Sequence, residues 1–358
     1  MRRPRPVLRP AQPRPREAPA EGDLAMFDLF DLYIIPLDQW VNEFVRAVMP
    51  EVRPYTQAMK WPVEQVLDGI RYGLNSVPPA LMAAIITIAA WVLARPLMAI
   101  FTLAGLVFLG FLGVWEMTMD TLAMILTAVA FCAAVGIPLG ILAARSDRFE
   151  GMLRPILDAM QTVPAYAYLI PVVMLFSLGP PAATLGTIVF ALPPIIRLTN
   201  LGIRQVPSEV VEAAFAFGST PWQVLVEVQF PLALRTIMAG VNQTVLLAMS
   251  MVVIAALIGG GGLGGEVFRG LQRLNVGQGI VGSVGIVVLA IILDRITQSL
   301  GQPRPAPGRL QRGWRAARAG LFRRRPTAAG GAPGTAAAAG GGEPRSPERP
   351  PEQMPGPG

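Results

Sequence analysis

The sequence predicts an all-α fold, a polytopic transmembrane helix bundle with about seven spans. Of its 358 residues, 53% are hydrophobic and only 15% are charged, whereas soluble domains carry about 25% charged residues. The charges also gather at the two ends of the chain, because residues 1–20 contain six arginines and residues 301–358 contain ten. The middle of the chain is therefore poorer still in charge, as expected of segments that lie in a bilayer.

Uncharged runs of about 20 residues, the length that crosses a bilayer, recur through this middle part. One run, Ala159–Ile196, has 38 residues and would be about 57 Å long as a single helix. The sequence Gly179-Pro180-Pro181 therefore divides it into two spans. The seven predicted spans are residues 78–94, 96–115, 120–144, 162–179, 182–200, 233–258 and 278–297.

Prolines within the spans predict irregular helices. We expect Pro164 and Pro171 to bend the fourth span and Pro138 to bend the third. Pro193-Pro194 is expected to break the fifth, and such kinks would allow inner helices to pivot.

The composition divides the chain into five parts. In the part from 24 to 76, acidic residues interrupt the apolar stretch 24–48, so we expect an interfacial amphipathic helix there or, as the alternative, a packed helix outside the membrane. The orientation given below places this part outside the cytoplasm. The terminal parts are too rich in Arg, Pro and Gly to bury a core. The five predicted parts are a disordered arm (1–23), the amphipathic segment (24–76), two extra spans (77–116), a core (117–298) with a loop at 199–232, and a disordered cytoplasmic tail (299–358).

The orientation follows from arginines in short loops, which favour the cytoplasmic side. The loops that would then be cytoplasmic, together with the C-terminal tail, contain Arg95, then Arg145, Arg148 and Arg154, then Arg197 and Arg204. Seven spans then place the N-terminus outside.

The residue types argue against catalysis by this chain. It contains no histidine and a single cysteine, Cys132, so the commonest general base and metal ligand are missing. No GxxxxGK[ST] phosphate loop is present, and Gly259–Gly265 is predicted to be a flexible extracytoplasmic turn instead. We therefore expect no catalytic residue and no metal. We also expect no nucleic acid partner, because the net positive charge lies in the tails.

Two acidic residues, Asp158 and Asp294, lie at span ends. Interfacial pairing with the nearby Arg154 and Arg295 is the expected role of each.

The loop between the fifth and sixth spans carries clear helix signals. Pro207-Ser208 starts a short helix with Ser208 as a possible cap, and Gly218 ends it. A second helix starts at Thr220-Pro221, where Gln223 completes a capping box. It is expected to run to Phe230, with Pro231 opening the next span.

The same loop is suited to docking against another protein. Ala213 and Ala214 form a small face beside Glu212, and small residues allow close approach of a partner. Phe215, Phe217 and Trp222 offer the aromatic anchors that dominate interfaces. Packing of these aromatics on the chain's own inner helices is the alternative.

The loop resembles a family signature, E-A-A-x3-G-x9-I-x-L-P, of importer-type ABC permeases. This sequence has Glu212-Ala213-Ala214, then Gly218, then Val228-Gln229-Phe230-Pro231, with apolar departures at Val228 and Phe230. The resemblance implies a type I ABC importer permease in a bacterial inner membrane, whose loop docks on a cytoplasmic ABC ATPase dimer. ATP and Mg would be used by that partner, and no cofactor by this chain. The implied coupling residues are Glu212, Ala213, Ala214, Gly218, Pro231, Phe217 and Trp222.

Four further segments resemble the proline/glycine betaine permease subfamily. They are Leu157–Ala165, Phe190–Leu198, Gly240–Thr244 and Ile291–Gln298. The resemblance implies transport of glycine betaine or proline-type osmoprotectants, delivered by a periplasmic substrate-binding protein. Choline, carnitine and other quaternary amines stay open. Because an ATPase dimer offers two grooves, a permease homodimer, surrounded by membrane lipids, is the simplest assembly.

Polar residues within the spans are candidates for the substrate path. Such side chains also hold helices together, and both roles stay open. The candidates are Gln161, Thr162, Tyr166 and Tyr168 in the fourth span and Asn242, Gln243, Thr244 and Ser250 in the sixth. An ion-driven secondary transporter is the competing class, although the repeated halves and midplane charges typical of that class are not evident.

Overall fold

The computed structural model describes residues 36–94 and 96–301, so the arm 1–23, the start of the amphipathic segment and the tail from 302 lie outside it. Across the described ranges the chain is helical, with short connections and no strand. The helices are α1 (Leu37–Asn75), α2 (Pro79–Leu93), α3 (Pro96–Phe111), α4 (Trp115–Arg145), α5 (Asp147–Thr162), α6 (Ala165–Phe176), α7 (Pro180–Arg204), α8 (Ser208–Ala216), α9 (Pro221–Gln223), α10 (Phe230–Ala256), α11 (Gly262–Gln272) and α12 (Val276–Leu300). A π-helical segment, Val224–Gln229, joins α9 to α10.

The helix lengths agree with a protein that crosses a membrane several times. Four helices of the described chain are long and apolar enough to span: α4, α7, the continuous Pro221–Ala256 and α12. The number rises to six if the bent pairs α1–α2 and α5–α6 each form one span. The short apolar helix α3 would be a seventh, so the all-α fold is confirmed and the span count is consistent with about seven.

The centre of the bundle is formed by α4, α7 and α10, which approach closely where glycines face a neighbouring helix. A methyl group at Gly140 of α4 would lie 2.8 Å from the Ile196 carbonyl oxygen of α7. A methyl group at Gly240 of α10 would lie 3.2 Å from the Ile195 Cα. Small residues permit this approach, and van der Waals packing then holds the helices where lipid offers no hydrophobic driving force.

One prediction about prolines is confirmed and another is wrong. The chain bends sharply at Pro164, because α5 and α6 meet at an angle of 103° around Val163-Pro164. The fifth span is not broken, since α7 continues through the buried Pro193 and Pro194. Neighbouring helices cover this stretch, and such packing allows prolines inside membrane helices.

Helix α1 lies across one end of the bundle, which we call the far end. Its Thr56 hydroxyl donates to the Leu175 carbonyl at the end of α6 at 2.8 Å, and Arg71 pairs with Asp120 of α4 at 2.7 Å. The start of α1 is exposed, whereas Val63 and Leu67 in its second half are buried. The expected helix over 24–48 is therefore, where described, the beginning of a much longer one.

The glycine run at the far end is not the flexible turn that composition suggests. It starts helix α11, which buries Leu263, Gly264 and Gly265. The Leu263 amide donates to the Thr121 hydroxyl of α4 at 2.8 Å. These glycines serve close packing, because a side chain at Gly264 would collide with the backbone of α10 at Val252.

Candidate functional site

The loop between α7 and α10 lies at the end of the bundle opposite α1, and its first helix, α8, ends in a fully formed cap. Gly218 has φ +84°, a conformation that favours glycine. The Ser219 amide donates to the Ala214 carbonyl at 3.1 Å and the Gly218 amide to the Phe215 carbonyl at 2.9 Å. This pair of bonds is a Schellman motif, so Gly218 ends the helix as predicted.

The second helix also begins as predicted. The Gln223 amide donates to the Thr220 hydroxyl at 3.4 Å, and the Thr220 amide donates to the Gln223 side chain at 2.8 Å, which completes the capping box.

Two details of this loop differ from the sequence prediction. Ser208 is the first residue of α8 and makes no cap, because Pro207 takes the cap position. The second helix is not separate from the sixth span, since α9 passes through the π-helical segment into α10. Pro231 has no amide hydrogen and its ring crowds the preceding turn, and the wider π-helical turn before it accommodates this.

Most side chains of α8 and of the turn that follows it are exposed in the described chain. No residue of α8 is buried, and Glu212 is exposed without an ion-pair partner among the described residues. Phe217 is 91% exposed and Trp222 is 66% exposed. The alternative that these aromatics pack on the chain's own helices is therefore wrong for this structure.

This arrangement suits binding of a second protein. Two aromatic side chains stand beside a carboxylate and the small residues Ala213 and Ala214, on helices whose ends are capped. Aromatic anchors of this kind supply much of the binding energy in protein interfaces. Capped helices reduce the conformational entropy that binding must remove.

Both roots of the loop are hydrogen-bonded to the last turn of α4. Arg204, at the end of α7, donates to the Ala143 carbonyl at 2.9 Å. Arg145, at the end of α4, donates to the Pro221 carbonyl at 2.9 Å. The sequence prediction used these arginines only for orientation, although a basic residue in a last helical turn also indicates bonding to free carbonyls.

The candidate path residues of the fourth span lie around the bend between α5 and α6. Gln161, Thr162 and Tyr166 are exposed. The Tyr168 hydroxyl donates across the bend to the Met160 carbonyl at 2.6 Å. Tyr168 therefore holds the bend. A path role for Gln161, Thr162 and Tyr166 stays a prediction.

The candidate path residues of the sixth span separate into two pairs. Asn242 bonds Asp294 at 3.1 Å and also Thr297 of α12, and the buried Thr244 donates to the Ala191 carbonyl of α7 at 3.1 Å. These two hold helices together.

Gln243 and Ser250 lie on an exposed stripe of α10, which we call the α10 stripe. It has helical spacing and consists of Ala239, Gln243, Leu246, Ser250, Val253 and Leu257. A path role for Gln243 and Ser250 stays a prediction.

The two interfacial carboxylates have partners other than those expected. Asp158 pairs with Arg197 of α7 at 2.6 Å, not with Arg154. Asp294 accepts from the amides of Asn242 and Gln298, not from Arg295. The partner of Asp158 therefore lies on a neighbouring helix. Asp294 has one partner on a neighbouring helix and one a single turn further along its own helix.

At the far end, Glu266 of α11 is held by charge. Its carboxylate pairs with Arg269 and accepts from the Gln278 side chain at 2.8 Å. The bond from Arg269 has the largest effect, and together the two bonds lower the pKa of Glu266 below its ordinary value. Partial burial opposes this shift.

Comparisons with known proteins show the family of this chain. A family model described as binding-protein-dependent transport system inner membrane component matches residues 136–302, which include the loop, α7 and α10.

Three relatives cover most of the chain. It is 48% identical over 291 residues to the glycine betaine/proline betaine transport system permease protein ProW of Escherichia coli, covering 81% of this chain and 82% of that protein. It is 40% identical over 274 residues to the glycine betaine transport system permease protein OpuAB of Bacillus subtilis, covering 76% and 97%. It is 40% identical over 272 residues to the glycine betaine/carnitine transport permease protein GbuB of Listeria monocytogenes, covering 75% and 96%.

Proposed function

Since the chain belongs to the family of binding-protein-dependent transport system inner membrane components, we propose that it forms the membrane path through which an ABC importer takes up glycine betaine and proline-type osmoprotectants. The single observation that carries the substrate class is 48% identity, over 81% of this chain, to a glycine betaine/proline betaine permease. Carnitine, which appears in the name of one relative, and choline share the quaternary ammonium group and are the alternative substrates.

The loop formed by α8 and the start of α9 is the docking site for the cytoplasmic ATPase. Exposed Phe217 and Trp222 would fill the partner's groove, and Glu212 would face a cationic or hydrogen-bonding group there. Ala213, Ala214, Gly218 and Pro231 act through shape: the alanines allow close approach, the glycine ends α8 and the proline sets the start of the sixth span. The carboxylate, the aromatics and the capped backbone support this assignment.

ATP and Mg belong to the partner ATPase, and this chain transmits its motion without a catalytic step. ATP-driven closure of the ATPase dimer would move the two docking loops together and turn the path from inward-open to outward-open. The permease needs no ATP site of its own for this.

A homodimer supplies two docking loops for the two ATPase subunits. The α10 stripe supports this assembly, because Gln243 and Ser250 are exposed among the apolar residues of that stripe. A polar side chain facing lipid is unfavourable, so a second copy or an aqueous path covers the stripe. Gln161, Thr162 and Tyr166 would line the same path from the bend between α5 and α6.

We place the docking loop and the C-terminus in the cytoplasm and α1 at the outer surface of the inner membrane. Helix α1 supports contact with lipid headgroups, because Leu37, Val41 and Phe44 form an exposed apolar stripe at its start. A substrate-binding protein would deliver the osmoprotectant to the same outer side. Its selectivity would come from an aromatic cage that holds quaternary ammonium by cation–π attraction.

Uptake in a bacterial strain that lacks osmoprotectant transporters tests this function. The chain would be expressed with its ATPase and binding protein, and labelled glycine betaine, proline betaine, carnitine and choline would be compared. We expect glycine betaine uptake that requires the ATPase and is lost in Glu212→Ala, because the docking carboxylate is removed. Glu227→Ala, which removes another exposed carboxylate near the loop, is the matched control.

Uptake that persists without the ATPase but collapses with the ion gradient would contradict the proposal in favour of a secondary transporter. A preference for choline or carnitine over glycine betaine would contradict the substrate assignment alone.

A further inference from the structure

The docking loop is connected to the bundle at a few places only. No residue of α8 is buried, and α8 packs against the π-helical segment Val224–Gln229, so a push on α8 reaches the bundle through that segment and through the two roots of the loop. Those roots are the end of α7 at Arg204 and the start of α9 at Pro221. Both roots are bonded to one turn of α4, through the Ala143 carbonyl and the Arg145 side chain, each at 2.9 Å.

We propose that Arg145 and Arg204 are positioning residues for energy coupling, which clamp both roots of the docking loop to α4. Together with Ala143 and Pro221 we call them the root clamp. The proposal rests on the proposed function of the loop. With the clamp intact, a displacement of the loop moves the ends of α4 and α7 together with α10, into which α9 continues; without it, α4 is no longer bonded to either root and does not follow.

The clamp also extends to α5. Arg204 pairs with Asp147 at 2.7 Å and with Glu150 at 2.9 Å. The Asn200 side chain, one turn before Arg204 on α7, donates to Glu150 at 2.9 Å. These bonds fix the first turn of α5 to the last turns of α7.

Helix α5 connects the clamp to the candidate path. Its 16 residues extend about 24 Å, from the acidic first turn held by Arg204 to Gln161 and Thr162 at the bend. A rigid helix fixed at one end transfers rotation to its other end. The root clamp therefore joins the loop that meets the ATPase to residues proposed to meet the substrate.

The role of the clamp is geometric, since its ion pairs add little stability. Asp147 is 89% exposed and Arg204 is 35% exposed in their side chains, and pairs in water contribute little. Binding of an anion by these arginines is not supported either. In the adjoining cavity of about 290 Å³, Arg204 is paired with Asp147 and Glu150, and Arg197 with Asp158.

The test uses the complete complex of permease, ATPase and binding protein in proteoliposomes. Substrate uptake and ATP hydrolysis are measured on the same vesicles for wild type, Arg145→Ala and Arg204→Ala. We expect hydrolysis to continue while uptake per ATP falls about tenfold, as loss of a hydrogen bond from a charged donor predicts. Arg148 is an exposed arginine at the start of α5 whose side chain makes no hydrogen bond or ion pair in the described chain. Arg148→Ala should therefore keep the wild-type ratio of uptake to ATP hydrolysis.

Arg145→Lys separates positioning from general loss of structure, because lysine keeps one donor for the Pro221 carbonyl and should recover part of the ratio. If Arg204→Ala does not fold, Arg145→Ala is the variant that decides. It loses only one exposed hydrogen bond, so its fold should be kept. An unchanged ratio in both alanine variants overturns the clamp. A parallel loss of uptake, hydrolysis and bound ATPase also overturns it, because docking would then have failed. Absence of ATP-dependent uptake in wild type instead overturns the proposed function together with the clamp.

Discussion

Two connections of similar size, on opposite ends of the bundle, solve different physical problems. Helix α8 joins the fifth span to the sixth and buries none of its residues. Helix α11 joins the sixth to the seventh and buries Leu263, Gly264, Gly265 and Gly270. The first connection is held by its own caps and leaves its aromatics for a partner, while the second is part of the core.

The largest expected effect concerns Gly264 of α11. Gly264→Ala should destabilise the protein by about 1–3 kcal/mol or more, because the new methyl group would lie 2.8 Å from the Val252 carbonyl carbon. Gly265→Ala is the matched control, since nothing lies within 4 Å of its methyl position and alanine favours a helix. Thermal unfolding of the purified protein in detergent compares the two. Equal melting temperatures would show that α11 is not packed as described.

A second test of α11 removes its bond to α4. Thr121→Val should cost about 1–2 kcal/mol, because the buried Leu263 amide would lose its acceptor. Thr121→Ser keeps the hydroxyl and should retain most of the stability in the same unfolding experiment. If the serine variant were as unstable as the valine variant, the methyl group rather than the hydrogen bond would matter.

The comparable substitution for α8 is at Gly218, which ends the helix. There the backbone conformation restricts which residues are allowed, whereas the space for a side chain does not. Nothing lies within 4 Å of a methyl group there, but φ is +84°, which costs a β-branched residue about 1–2 kcal/mol. Gly218→Val should therefore unwind the end of α8 and reduce uptake while the bundle keeps its melting temperature. Gly218→Asn tolerates the conformation and should transport better than the valine variant. A melting temperature lowered as far as in Gly264→Ala would remove the contrast between the two connections.

The smallest expected effect is electrostatic and again concerns α11. The pKa of Glu266 is lowered by Arg269 and Gln278, so its contribution to stability is present above the ordinary glutamate pKa and is lost as the pH falls through the lowered value. The gain is below about 1 kcal/mol, because Arg269 is partly exposed. Melting temperatures of wild type and Glu266→Gln should converge at acidic pH. A difference that does not change with pH would exclude the charge as its cause.

Sequence patterns predicted α8 well and α11 poorly, for a physical reason. The Thr220 capping box and the Gly218 cap depend on residues within one or two turns, so local rules describe them. The glycines of α11 pack against α4 and α10, far away in sequence, and composition alone suggested a flexible turn. The same holds for Arg204, whose partners lie on α4 and α5, and for Asp158, which pairs with Arg197 across helices rather than with Arg154.

The central claim is that α8, and not α11, meets the ATPase. Single-cysteine variants test it directly, because the native Cys132 is buried while Phe217 and Leu274, just after α11, are largely exposed. Each variant, Phe217→Cys or Leu274→Cys, would carry a thiol-linked photo-crosslinker in the assembled complex. The account predicts a crosslink to the ATPase from position 217 and none from position 274. A crosslink from 274, or none from 217 in a complex that hydrolyses ATP, would contradict it.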